Sequence, residues 1–166
     1  MKREGHLGLS LLIFSPLVIP FGMSTNLLTF IMMGVVFSSL PDLDLKWHGK
    51  HRAYTHNVGF GIGFGALLGI PVGYSQGLFM GVLIFSGVFI GVLSHLLGDI
   101  IAGLNYDGSP WKLQPFEPFS SKSIGYGFYK ATDDKVNERF FKAGVGIFII
   151  SILVSQGIVQ DLLGTV

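Results

Sequence analysis

The chain has 166 residues, one domain's worth, of which 49% are hydrophobic and only 13% charged, with a mean hydropathy of +0.59. That balance excludes an ordinary soluble globule and points to a protein of the membrane. The absence of cysteine excludes a disulfide framework and every thiolate metal centre, and a net charge of +1 gives no sign of nucleic acid as a partner.

Five stretches approach the roughly 20 apolar residues that cross a bilayer. They are 6–22, 26–40, 57–74, 77–101 and 142–161. The first two are short. Pro16 and Pro20 would kink the first or end it early, and the pair can instead form a re-entrant hairpin. Lys2 and Arg3 ahead of an apolar run also resemble the start of a cleaved signal peptide, but no small-residue cleavage site follows. The remaining three read as apolar helices. The expectation is an all-α integral membrane bundle of about five helices, a single domain over 1–166.

The charges assign the loops to sides. The turns "GMSTN" (22–26) and "YSQG" (74–77) carry none, whereas the N-terminus, the 41–56 loop and the stretch from 102 to Lys142 hold all eleven Lys and Arg residues. By the positive-inside rule that face is cytoplasmic. The chain is therefore expected to be a multi-pass protein of the inner (plasma) membrane, with its C-terminus outside.

This topology gathers the polar residues. His6 opens the first helix, Asp42 and Asp44 follow the second, His51 and His56 lead into the third, and His95 and Asp99 close the fourth. All of them fall at the cytoplasmic ends of their helices. In "SHLLGD", His95 and Asp99 stand at i and i+4, an imidazole and a carboxylate on one helical face. An aspartate near hydrocarbon costs several kcal/mol, so this face should line the bundle interior with a partner. The proline of "LPDLD" stops the second helix at about Leu40, and Asp42 and Asp44 then offer two carboxylates on an extended segment or turn. Thr55 is placed to cap the third helix and orient His56. His6, Asp42, Asp44, His51, His56, His95 and Asp99 are thus candidate metal ligands. The bland alternative for His95 and Asp99 is a hydrogen-bonded pair that pins two helices. For the others it is a place at the membrane interface, which is also the reading for His48 beside Trp47. An EF-hand is excluded, because Lys46 stands where an oxygen ligand is needed. Arg52, between two candidate ligands, can clamp a phosphate or carboxylate bidentately, or serve only as a topology determinant like Lys50.

The ordered set of His6, "PDLD", "HRAYTH", "SHLLGD" and the "PF" element of "LQPFEPF" resembles a family of small bacterial and archaeal inner-membrane proteins described as metal-dependent hydrolases and also labelled LexA-binding. The likeness runs over about residues 5–120. More distantly, "HLLGD" is similar to the His-Tyr-Leu-Gly-Asp signature of zinc-dependent phospholipase C and P1 nuclease, and that resemblance implies His95 and Asp99 as zinc ligands. The further His and Glu that complete the trinuclear site of those enzymes have no counterpart in "IIAGLNYDG".

One or two divalent ions on such ligands would lower the pKa of a bound water and stabilise charge on a phosphoryl or acyl oxygen. Zinc suits mixed His and carboxylate ligation, with manganese as the alternative. A carboxylate left uncoordinated among Asp42, Asp44 and Asp99 can act as general base, and Arg52 can hold the substrate. The expected function is metal-dependent hydrolysis of a phosphoester or of a phospholipid-like or lipid-linked substrate. The alternatives are a non-catalytic membrane protein binding a cytoplasmic partner and, less favoured, an ion transporter, which needs polar groups at mid-membrane. HExxH and serine-hydrolase motifs are absent.

Two further patterns remain. Glycines recur at four-residue spacing as Gly61, Gly65, Gly69 and Gly73, and again as Gly77 with Gly81 and Gly87 with Gly91, predicting close packing of the third and fourth helices. In the 102–141 segment, Trp111, Phe116, Phe119, Tyr126, Phe128 and Tyr129 alternate with prolines, glycines and lysines. That composition suits the lipid headgroup region, as a lid over the site or as a connector. "TDDKVNERFFK" reads as a short amphipathic helix capped near Thr132.

Overall fold

The computed structural model of the chain describes residues 1–46, 54–104, 108–110 and 112–157, without the side chains of 44–46. Helix α1 (Arg3–Phe14) passes through a 3-10 turn at Ser15–Leu17 into α2 (Val18–Phe21). The turn falls at Pro16, which has no N–H to continue the α-helical ladder, so the proline bends the rod without ending it. Helix α3 (Thr25–Phe37) starts at Ser24, whose hydroxyl accepts the Leu27 N–H at 3.2 Å. It gives way before Pro41 to a 3-10 helix over Pro41–Lys46. Helices α4 (Val58–Gln76) and α5 (Leu78–Ala102) form a hairpin, and α6 (Asp134–Ser155) follows a long connection. No β-strand occurs among the described residues.

Four stretches are long and apolar enough to cross a membrane: Arg3–Phe21, Thr25–Leu43, Val58–Gln76 and Leu78–Ala102. The first two therefore reach spanning length at 19 residues each. The final helix absorbs the expected amphipathic segment into one continuous rod. It is not among the four, because Asp134, Lys135, Glu138, Arg139 and Lys142 charge its first turns. Two caps sit later than the sequence indicates. Asn57, rather than Thr55, accepts the Phe60 N–H at 2.7 Å and opens α4, and Asp133, rather than Thr132, accepts the Val136 N–H at 3.2 Å and opens α6.

Helix α5 is the axis of the bundle, packed by α1, α3 and α4, while α6 lies along α1. Glycine sets how closely these rods approach. Gly61, Gly65 and Gly69 of α4 face Phe85, Phe89, Val92 and the Gly81 backbone of α5, as the repeat predicts. Gly87 and Gly91 depart from that expectation and turn to Phe30, Met33 and Gly34 of α3. The reason is phase: six residues separate Gly81 from Gly87, a rotation of about 240° at 3.6 residues per turn, so one helix presents two smooth faces to two neighbours. Across the α1–α6 contact, Gly8 meets the Phe140 backbone and Gly144.

The connection between α5 and α6 is stitched to the end of the bundle. Leu113 and Ile124 exchange backbone hydrogen bonds at 2.9 and 2.8 Å. The Tyr126 and Phe128 N–H groups donate to the Ile100 and Ile101 carbonyls at 2.9 Å each, satisfying acceptors that the α5 terminus leaves free. Val58 donates to the Pro115 carbonyl at 2.8 Å, tying the same strap to the start of α4. Phe119, Tyr126 and Phe128 project outward from it, 92%, 65% and 73% exposed.

A Cβ at position 91 would overlap the Gly34 backbone, whereas one at Gly63 meets nothing. Gly91→Val is therefore expected to destabilise the bundle by about 1–3 kcal/mol, with Gly63→Val within about 0.5 kcal/mol of wild type. Thermal unfolding of the two variants in one detergent measures the difference.

Candidate functional site

The helix ends bring His6 (α1), Asp42 (the 3-10 helix after α3), His56 (just before α4) and His95 with Asp99 (α5) to one point. His6, His56, His95 and Asp99 are buried, and Asp42 alone keeps an opening, its side chain 22% exposed against 4% for Asp99.

The hydrogen bonds around the cluster decide which atoms face inward. His95 Nδ1 lies 2.7 Å from the carbonyl oxygen of Ser38, at the end of α3. A carbonyl only accepts, so Nδ1 carries the proton and the neutral ring presents its Nε2 lone pair to the cluster. That lone pair faces His56 Nε2 at 3.2 Å, Asp42 Oδ1 at 3.6 Å and Asp99 Oδ2 at 3.6 Å. His56 Nε2 in turn lies 3.4 Å from Asp42 Oδ1 and 3.5 Å from Asp99 Oδ2. Thr55 Oγ1 stands 2.9 Å from His56 Nδ1, able to accept that ring's N–H and leave its Nε2 lone pair inward too. His6 stacks flat on His95, ring centroids 3.7 Å apart. Its Nε2 sits 3.4 Å from Asp99 Oδ1 and 4.0 Å from Asp42 Oδ2. Each carboxylate thus turns one oxygen to the His56 and His95 pair and the other to His6.

A helix-pinning hydrogen-bonded pair does not account for this arrangement. The His95 N–H goes to Ser38 rather than to Asp99, and Asp99 Oδ2 and both His6 nitrogens are buried without a hydrogen-bond partner. A divalent cation fits the donor set. Four atoms on a tetrahedron with bonds of about 2.0–2.1 Å stand about 3.3–3.4 Å apart. His56 Nε2, His95 Nε2 and Asp99 Oδ2 are separated by 3.2 to 3.6 Å and make one grouping of ligand spacing, three corners of such a tetrahedron. His6, Asp42 and His95 form a second grouping of ligand spacing, which shares His95 with the first.

Electrostatics at the rim follow from burial and pairing. The His56 pKa lies below its ordinary value because burial penalises the imidazolium and His95 adds to the effect, outweighing the Asp42 and Asp99 carboxylates that raise it. Lys2 is raised by its ion pair with Asp134 at the start of α6.

Of the seven candidate ligands, His6, Asp42, His56, His95 and Asp99 converge. His51 and Arg52 lie outside the described residues, as do the Asp44 side chain, His48, Lys50 and Trp111. Sequence reasoning missed three contributors. Ser38 fixes the His95 tautomer through a backbone carbonyl, which no side-chain motif reports. The Met1 α-amino group reaches Asp99 Oδ1 at 2.5 Å. Asn137 of α6, buried, accepts the Lys2 N–H at 2.9 Å and donates to the Ala131 and Asp133 carbonyls at 3.0 and 2.7 Å, holding the start of α1 in place. A lone asparagine at the head of an amphipathic helix was its only trace in the sequence.

No curated protein and no solved structure matches the chain. One family model, described as YdjM inner membrane protein, matches residues 1–161, nearly the whole length. A bundle of apolar helices agrees with that description, and the chain belongs to the YdjM inner membrane protein family.

Proposed function

We propose that the protein is a membrane-bound metal-dependent hydrolase acting on a phosphoester, with a phospholipid-like or lipid-linked substrate favoured by the site's place at the end of apolar helices. One observation carries the reading: the His95 Nε2 lone pair, His56 Nε2 and the buried Asp99 Oδ2, which has no hydrogen-bond partner, are turned toward each other at ligand spacing. Acceptors buried together repel unless a cation holds them. Zinc is the favoured ion for this donor set and manganese the alternative.

His56, His95 and Asp99 would hold the ion and leave a further position open, with His6 beside the other Asp99 oxygen. The ion would supply Lewis-acid stabilisation of charge on the reacting oxygens. Asp99, fully enclosed, serves as ligand. Asp42, the carboxylate with a free approach, is the residue placed to accept the proton of an attacking water. The water oxygen then bonds to phosphorus, the ester P–O bond breaks, and the departing oxygen takes up a proton. Arg52 and Asp44 follow from the sequence alone as a substrate clamp and a further carboxylate. The cytoplasmic orientation of this end rests on the distribution of lysine and arginine.

Elemental analysis of the detergent-purified protein is expected to find about one or two equivalents of zinc or manganese, lost when His95→Ala and Asp99→Ala are combined. A metal-free wild type after reconstitution would leave the cluster as a polar contact in a partner-binding membrane protein. With a phosphoester substrate in hand, Asp42→Asn is expected to lower kcat by about 10²-fold or more, and a chelator to abolish turnover.

A further inference from the structure

The strap between α5 and α6 carries aromatic rings on its outside that nothing in the fold covers. Phe119, Tyr126 and Phe128 are all largely exposed. Tyr126 and Phe128 stack on each other, ring centroids 5.9 Å apart and 13° from parallel, so both project from the same side of the strap. Apolar surface left open in this way marks an interaction surface.

Its height is set by the backbone. The Tyr126 and Phe128 N–H groups donate to the carbonyls of Ile100 and Ile101, and α5 ends at Ala102. Helix α5, with 25 residues, is long and apolar enough to cross a membrane. Two hydrogen bonds therefore hold the ring pair level with the last turn of that helix. At that height an outward side chain meets the boundary between hydrocarbon and lipid headgroups, the layer that aromatic residues favour. A protein partner would have to enter the headgroup layer to reach these rings, so their height favours lipid.

Charge narrows the kind of lipid. Between Gly108 and Asp133 the acidic residue is Glu117 alone, against Lys112, Lys122 and Lys130. All three lysines are exposed, and none makes an ion pair among the described residues. Lys122 precedes the ring pair and Lys130 follows it. A lysine stem can lie along apolar surface while its ammonium reaches the phosphate layer, and basic residues at this level draw anionic headgroups.

We propose that the strap docks on a leaflet containing anionic phospholipid, with Phe119, Tyr126 and Phe128 inserted at the headgroup boundary and Lys112, Lys122 and Lys130 paired with anionic headgroups. The contact does not depend on a metal in the cluster, and it gives a role to an aromatic segment that the proposed hydrolysis leaves unused.

The chain has no cysteine, so Ser121→Cys, exposed between Phe119 and Lys122, gives a single labelling position in the full-length protein. A bimane fluorophore placed there is read in nanodiscs of phosphatidylcholine with about a quarter phosphatidylglycerol, with the same number of brominated acyl chains carried by one lipid or by the other. The labelled chain is expected to be quenched by both, at least about twofold more strongly when phosphatidylglycerol carries the bromine. Replacing Lys112, Lys122 and Lys130 together by Gln should remove that preference and keep the quenching. Replacing Phe119, Tyr126 and Phe128 together by Ser should lower quenching by both lipids. All six positions are exposed, so both variants should unfold at the temperature of the labelled chain, which separates loss of docking from loss of fold. No quenching in the labelled chain puts the strap in water or against protein and overturns the proposal. Equal quenching by the two lipids, or a preference that survives the lysine substitutions, overturns the anionic assignment. Unchanged quenching after the aromatic substitutions overturns the insertion of the rings.

Discussion

Burial of the Asp99 carboxylate is the constraint on which this structure turns. An ionised carboxylate taken out of water costs several kcal/mol unless it is paired and hydrogen-bonded. Asp99 sits at the end of the central helix, and the groups paired with it come from elsewhere: the Met1 α-amino group ahead of α1, His6 from α1 and His56 from the threshold of α4. Only His95 is local. The helices therefore cannot slide or rotate independently at this end without exposing a charge to an apolar surrounding, and register is fixed here more strictly than by the glycine contacts below.

Those glycine contacts do a different job. In an apolar solvent, side-chain burial offers little preference for one helix partner over another, and close backbone approach takes its place. The two glycine faces of α5 admit α3 and α4 on different sides, and the Gly8 to Gly144 approach seats α6 on α1. One polar contact lies inside this packing, Ser10 Oγ to Ser94 Oγ at 2.6 Å, with Ser94 also donating to the Gly91 carbonyl at 2.7 Å. Ser10 stands one turn from His6 and Ser94 immediately precedes His95, so the bond locks the pair of rods that carry them. Packing thus sets distances between helices, and the polar end sets their phase.

Much of this was legible in the sequence because both signals are local. Spans follow from hydropathy and the glycine spacing from counting, and the convergence of His6, Asp42, His56, His95 and Asp99 needs only alternating helix direction. The misreadings have physical causes. Thr55 and Asn57 are both competent caps two residues apart, and the choice depends on where the chain must turn to bring His56 inward. Gly87 and Gly91 share their spacing with Gly77 and Gly81, yet spacing does not reveal which neighbour each face meets. The Ser38 carbonyl and the Asn137 clamp were invisible because each acts through backbone or through a segment far away in the chain. Such contacts carry no residue signature.

The bond from His95 Nδ1 to the Ser38 carbonyl joins these two levels. At the end of α3 a carbonyl has lost its helical partner and needs a donor. His95 supplies one, and in doing so its ring is fixed with the other nitrogen inward, the arrangement by which outer-shell hydrogen bonds orient metal-binding imidazoles. A structural debt of one helix thereby sets the chemical state of a residue on another. The Pro41 break acts in the same direction: it ends α3 early enough to free that carbonyl and swings Asp42 into the cluster on the next turn. The short sequence "SSLPD" is therefore as much a part of the site as the histidines themselves, because it places an acceptor for His95 and a carboxylate beside it within five residues.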